Sequence, residues 1–137
     1  MKIIIKKGID ENVKKFVKNL NKNKKIMSLV GKKFPSIAVD AISEMGDNLK
    51  INIFEEATAN QQKVLLFWYP KDFTFLCPTE LHAFQEKLKD FESRNCAVVA
   101  ASTDTEESHW GWLQMSKKDG GIKGVTYPII ADTNKTI

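Results

Sequence analysis

Six consecutive apolar residues, Val64-Leu65-Leu66-Phe67-Trp68-Tyr69, stop at Pro70, and a helical pattern opens only at Cys77-Pro78. This handover constrains the fold more than any other stretch of the chain. A short apolar run, dense in β-branched and aromatic residues at its two ends, reads as a strand covered on both faces. Beyond it, Leu81, Phe84, Leu88 and Phe91 make one apolar stripe, which predicts a helix over residues 77–95. Pro78 suits the first helical position and Glu80 supplies an early acid. Lys87, Lys89 and Arg94 fall toward the end, as the helix dipole favours.

The pattern then repeats in kind. Ala97 to Ala101 is a second buried-strand candidate. Glu106 to Lys118 reads as a helix, with Trp110 and Leu113 on one side and Gly120-Gly121 closing it. Tyr127 to Ala131 is a third strand. Strand, helix, strand, helix, strand is an α/β arrangement with parallel neighbours joined by right-handed crossovers. Upstream, Gly31, Pro35 and Gly46-Asp47-Asn48 mark turns. Phe34 to Val39 and Leu49 to Phe54 look like short extended edge segments, and Glu55 to Gln62 like a loop or one helical turn.

Composition bounds what such a chain does. At 137 residues, 42% apolar and 28% charged, it fits one globular domain. No apolar stretch nears the roughly 20 residues of a membrane helix. Two cysteines, Cys77 and Cys96, cannot build a disulfide framework, and no CxxC or Cys/His cluster suggests zinc. The net charge of +4 is uneven: residues 1–26 hold nine lysines and two acids, and the remainder is mildly acidic. A nucleic-acid role would therefore rest on this arm alone. Ile9, Val13, Phe16, Val17 and Leu20 recur at helical spacing, so residues 9–20 fit a short amphipathic helix. The arm reads either as a targeting or surface-binding segment, or as a solvated extension upstream of a second start at Met27. It resembles neither a secretory signal nor a mitochondrial presequence.

Cys77 is the residue with chemical promise. Ligand sites of open α/β sheets gather at the carboxyl ends of strands. Unpaired N–H groups in a first helical turn favour an anion, and hence a thiolate. Thr74, three residues earlier, is within reach to donate a hydrogen bond. Pro70, Phe73 and Phe75 are candidates to wall the pocket from water. The sequence thus supports a nucleophilic cysteine with a hydroxyl helper. The bland alternative is a buried cysteine acting as a small hydrophobe.

Pro70-x-x-x-Thr74-x-x-Cys77 resembles the Pro-x-x-x-Thr/Ser-x-x-Cys signature of peroxiredoxins. The stretch Phe67 to Leu81 looks like the active-site segment of the alkyl hydroperoxide reductase C-type, typical two-cysteine group. Ala100 to Asp104, His109 to Leu113, Gly120-Gly121-Ile122 and Tyr127 to Asp132 follow in register. The likeness runs from Met27 to Ile137, giving a basic extension at 1–26 and the N-terminal part of a thioredoxin-like domain at 27–137. It implies a thiol peroxidase for hydrogen peroxide and alkyl hydroperoxides. Cys77 would be the peroxidatic cysteine, passing through a sulfenic acid. Thr74 would hydrogen-bond peroxide and thiolate, Pro70 would shield the sulfenic acid, and Glu80 and Tyr69 would be orienting or pocket residues. No metal or bound cofactor is implied. Thioredoxin or a flavoprotein disulfide reductase would supply electrons, homo-oligomers are expected from the family, and the compartment would be the cytoplasm.

The departures are equally specific. The family's active-site arginine, its resolving cysteine and its last strands and helix fall beyond Ile137. Arg94, the only arginine, sits at the wrong end of the Cys77 helix. An unbroken helix of about 18 residues would hold Cys96 roughly 27 Å from Cys77, far beyond disulfide reach. Cys96 therefore reads as packing at a strand start, and His82 and His109 as structural or surface residues. An inactive fragment, or a binding partner of a full-length relative, is the alternative reading of the chain.

Overall fold

The computed structural model describes residues 30–137, so the proposed helix at 9–20 and the rest of the basic arm lie outside the described residues. Phe34–Ile137 forms one compact unit. Its strands are β1 (Val39–Ile42), β2 (Asn48–Ile51), β3 (Lys63–Trp68), β4 (Cys96–Ser102) and β5 (Ile129–Ala131). Its α-helices are α1 (Ile53–Ala59), α2 (Cys77–Glu86), α3 (Leu88–Glu92) and α4 (Glu106–Gln114), followed by a 3-10 turn at Lys117–Asp119.

The five strands form one sheet in the order β2-β1-β5-β4-β3. The pairs β3/β4 and β4/β5 are parallel, as the alternation of strands and helices predicts. β1 pairs antiparallel with both β2 and β5. The first hairpin is shifted from its expected place. β1 is an inner strand starting at Val39, whereas the expected segment ended there. The polar stretch after β2 is a full helix, because the Asn52 side chain accepts from the Glu55 N–H and caps it.

Two apolar layers flank the sheet. On one face Leu81 of α2 and Trp112 and Leu113 of α4 pack over Tyr69, Val98, Ala100 and Ile129. On the other, Ile53 packs with Val39, Ile51, Val99, Ala101 and Ile130. Strand β4 is covered on both sides, and Val98 to Ser102 are all buried. Strand β3 is not buried in the way its sequence suggests. It is the last strand of the sheet among the described residues, and its interior residues are only half-buried. An apolar groove of about 300 Å³, lined by Phe34, Ile53, Ala57, Val64 and Leu66 among others, opens beside it. The run marks apolar contact on both faces, but cover is incomplete on each.

The expected 77–95 helix also departs from a single rod. It breaks at Lys87, whose φ of −97° and ψ of 3° leave helical geometry. The apolar stripe survives the break: Leu81 is buried, and Phe84, Leu88 and Phe91 are partly so. Phe84 stacks on Phe67 with ring centroids 4.2 Å apart.

Candidate active site

Strand β3 delivers the chain to the site. The Tyr69 N–H donates to the Ala101 carbonyl, extending the ladder by one residue. Pro70 then ends it, having no N–H to donate. The loop Pro70–Leu76 leads to α2, whose first residue is Cys77. No side chain caps this helix. The Thr79 N–H and hydroxyl both turn back to the Leu76 carbonyl, at 3.2 and 2.7 Å. Glu80, exposed in the first turn, complements the helix dipole.

Cys77 is a buried free thiol packed in the same apolar cluster as Tyr69, Leu81 and Trp112. Cys96 opens β4, half-buried and also free, consistent with a packing role. The other candidates are placed differently from what the motif suggests. The Thr74 hydroxyl donates to the Lys71 carbonyl at 3.2 Å, so it closes a loop turn instead of reaching the Cys77 sulfur. Pro70 lies on the surface. Phe75 is fully exposed and Phe73 is 57% exposed, so neither ring closes a pocket over the thiol. These rings, with Thr74, Met115, Asp119 and Gly120, instead line a cleft of about 120 Å³ beside the loop.

Tyr69 is buried, and its hydroxyl donates to Asp72 Oδ1 at 2.8 Å. Burial pushes the phenol's pKa far upward, and the neighbouring Asp72 charge adds to it, so the hydroxyl remains a donor. Asp72 Oδ2 lies 2.7 Å from His109 Nδ1, and both side chains are buried. His109 Nε2 is 3.3 Å from the Ile130 carbonyl of β5. The Asp72 N–H donates to Asp104 Oδ2 at 2.8 Å, and Asp104 is itself joined to Ser102. Sequence reasoning passed over Asp72 and Asp104 as singular residues. The available signal was an acid set inside an aromatic, apolar loop. His109, read as structural or surface, is fully buried. His82 is buried too, with Nε2 3.1 Å from the Gly121 carbonyl.

A parallel α/β core with a cysteine opening the helix after a strand is the arrangement of thioredoxin-like thiol proteins. The comparisons narrow it further. The AhpC/TSA family matches residues 30–137, and the chain belongs to that family. It is 38% identical over 111 residues to the chloroplastic 2-Cys peroxiredoxin BAS1 of Hordeum vulgare, covering 81% of this chain and 51% of that protein. It is 38% identical over 110 residues to a thioredoxin peroxidase of Echinococcus granulosus, covering 80% and 55%. Among solved structures, it resembles the reduced 2-Cys peroxiredoxin of Plasmodium vivax with a TM-score of 0.73 and 30% identity, covering 80% of this chain and 66% of that one. The AhpC of Enterococcus faecalis gives 0.70 and 30%, covering 80% and 62%. The chain thus spans about half the length of the curated relatives named here.

Proposed function

We propose that this chain carries the peroxidatic half-reaction of a thiol peroxidase. The Cys77 thiolate attacks one oxygen of the peroxide. The O–O bond breaks, and its electron pair leaves on the second oxygen, which takes a proton to become water or an alcohol. Sulfur is oxidised by two electrons to the sulfenic acid. An external dithiol, of the thioredoxin or flavoprotein disulfide reductase kind, then condenses with the sulfenic acid. Water is released and a mixed disulfide forms. The donor's second thiol resolves it and returns Cys77 to the thiol. Hydrogen peroxide and small alkyl hydroperoxides are the substrates, the cytoplasm is the setting, and self-association is part of the same reading.

One observation carries the proposal: Cys77 opens α2 at the carboxyl end of a parallel strand, within an intact Pro70/Thr74/Cys77 motif of a recognised family. The experiment is sulfenic-acid trapping at each cysteine after brief, limiting peroxide, read by peptide mass spectrometry. Exposure alone ranks Cys96 above Cys77, since Cys96 is half-buried and Cys77 buried. Preferential oxidation of Cys77 by orders of magnitude therefore supports activation by the site. Equal, slow oxidation of both would defeat the proposal.

A further inference from the structure

The loop Pro70–Leu76 has few buried side chains to hold it. Phe73, Phe75 and Leu76 are 57%, 104% and 72% exposed, so apolar burial does not hold it in place. Its one buried residue is Asp72, at 2%. The hydrogen bonds from the loop to the neighbouring strands and to α4 run through that residue. One carboxylate oxygen accepts from Tyr69 at the end of β3, and the other pairs with His109 of α4. The Asp72 N–H is held by Asp104 after β4, and His109 is in turn held by β5 through Ile130. Three neighbouring parallel strands and one helix are thus linked, directly or through His109, to a single loop residue.

The next residue shows that the anchor bears a load. Phe73 has a φ of +55°. For a bulky side chain this left-handed conformation is disfavoured, and it persists only where the surroundings over-determine it. Asp72 on one side and the Phe73–Trp112 ring contact at 5.9 Å on the other supply that constraint. A buried pair, shut away from water and short at 2.7 Å, is strong enough for the task.

We propose that Tyr69, Asp72 and His109 form a clamp that sets the position of the Cys77 loop, making His109 and Asp72 positioning residues for the thiol. With the clamp closed, the loop holds the start of α2 against the core and the sulfur stays covered. Releasing the Asp72–His109 pair lets Phe73 relax and the loop lift, uncovering Cys77. The link to peroxide chemistry rests on the peroxidase reading above, whereas the clamp itself does not.

Two replacements of one residue test it. His109→Asn keeps a side-chain N–H near the Nδ1 position, facing Asp72. His109→Gln places its amide near Nε2, facing Ile130, and abandons Asp72. Both lose the imidazole ring. The readout is the alkylation rate of Cys77 by iodoacetamide, with Cys96 in the same molecule as the control for global opening. Loss of a buried charge-assisted hydrogen bond predicts a rise at Cys77 of about tenfold or more in His109→Gln. Asp72→Ala, which removes both accepting oxygens, should behave like His109→Gln. His109→Asn should stay within about threefold of the parent, because one N–H donor is retained. Cys96 should alkylate at the parent rate in all three. Equal rates at Cys77 in the Asn and Gln variants, or parallel rises at both cysteines, would overturn the clamp and leave His109 an ordinary core residue. Limiting peroxide on the same proteins separates the two readings. A parent Cys77 inert to peroxide would sink the peroxidase proposal, while the alkylation order would still decide the clamp.

Discussion

Two turns leave the carboxyl ends of neighbouring parallel strands, and they are built on opposite plans. The turn after β4 is short and satisfied. The Thr105 side chain accepts from the Ser108 N–H to cap α4, while Ser102 and Asp104 hydrogen-bond each other. The turn after β3 is long, bears exposed aromatic residues, contains a left-handed Phe73, and reaches a helix that no side chain caps. A capped helix start has its N–H groups occupied and favours stability. An uncapped start leaves them for a ligand or an anionic group. The first plan gives a closed helix start and the second an open one. Asp104 joins them, since the well-made turn holds the N–H of the strained one.

The largest break in this contrast should come from Trp112. It belongs to the helix of the capped turn and is fully buried, yet its ring meets Tyr69 and Phe73 of the other turn, each with centroids 5.9 Å apart. Its Nε1–H also donates to the Gly120 carbonyl. Trp112→Ala should cost about 3–5 kcal/mol in urea unfolding, typical of a buried aromatic truncation. A cost under about 1 kcal/mol would show that the two turns do not share a core.

Asp104→Ala comes next and acts on the join itself. It removes the acceptor for the Asp72 N–H and the partner of Ser102. The expected cost is about 1.5–3 kcal/mol, the range for a hydrogen bond to a charged group. Its signature should be uneven: faster alkylation of Cys77, with Cys96 little changed. Thr105→Ala sharpens the same contrast from the capped side. Loss of the cap should cost about 1 kcal/mol and leave alkylation of Cys77 as it was. A rise at Cys77 in that variant would mean that the turns are coupled more broadly than through Asp104.

The packed framework was easier to read in the sequence than the loop that leads to Cys77. Strands β3, β4 and β5 and the Leu81 to Phe91 stripe follow from apolar spacing, a local property of the chain. The break at Lys87 leaves that spacing intact, so periodicity could not reveal it. Cys77 was legible because a strand end, a proline and a helix start are all local signals. The Asp72–His109 pair was not, because the two residues stand 37 positions apart and meet only once the sheet is assembled. The orientation of the Thr74 hydroxyl was hidden for a related reason. Motif spacing brings it near Cys77, but the loop turn gives it a closer acceptor in the Lys71 carbonyl. The half-cover of β3 is likewise a matter of its place in the sheet, which its composition does not encode.

A third turn, after β5, extends the comparison with the smallest effect. The Asp132 N–H donates to the Ser102 carbonyl, and its carboxylate gathers the end of the chain. Oδ1 accepts from the Thr136 N–H and hydroxyl at 2.7 and 2.6 Å, and Oδ2 from the Ile137 N–H at 3.3 Å. Burial by itself would raise this pKa, but the hydrogen bonds from Thr136 and Ile137 outweigh it and hold the group below its ordinary 3.8. A depressed carboxylate stabilises the fold above its unfolded pKa, and that contribution fades as pH falls through the folded value. Asp132→Asn keeps an accepting oxygen but loses the charge, so it should be less stable than the parent by about 1 kcal/mol at pH 7. Urea midpoints taken down the acid range should show the gap closing below about pH 3.8, where the parent carboxylate is itself becoming neutral. A gap that stays constant to pH 2 would mean that the side chain's shape, and not its charge, organises the third turn.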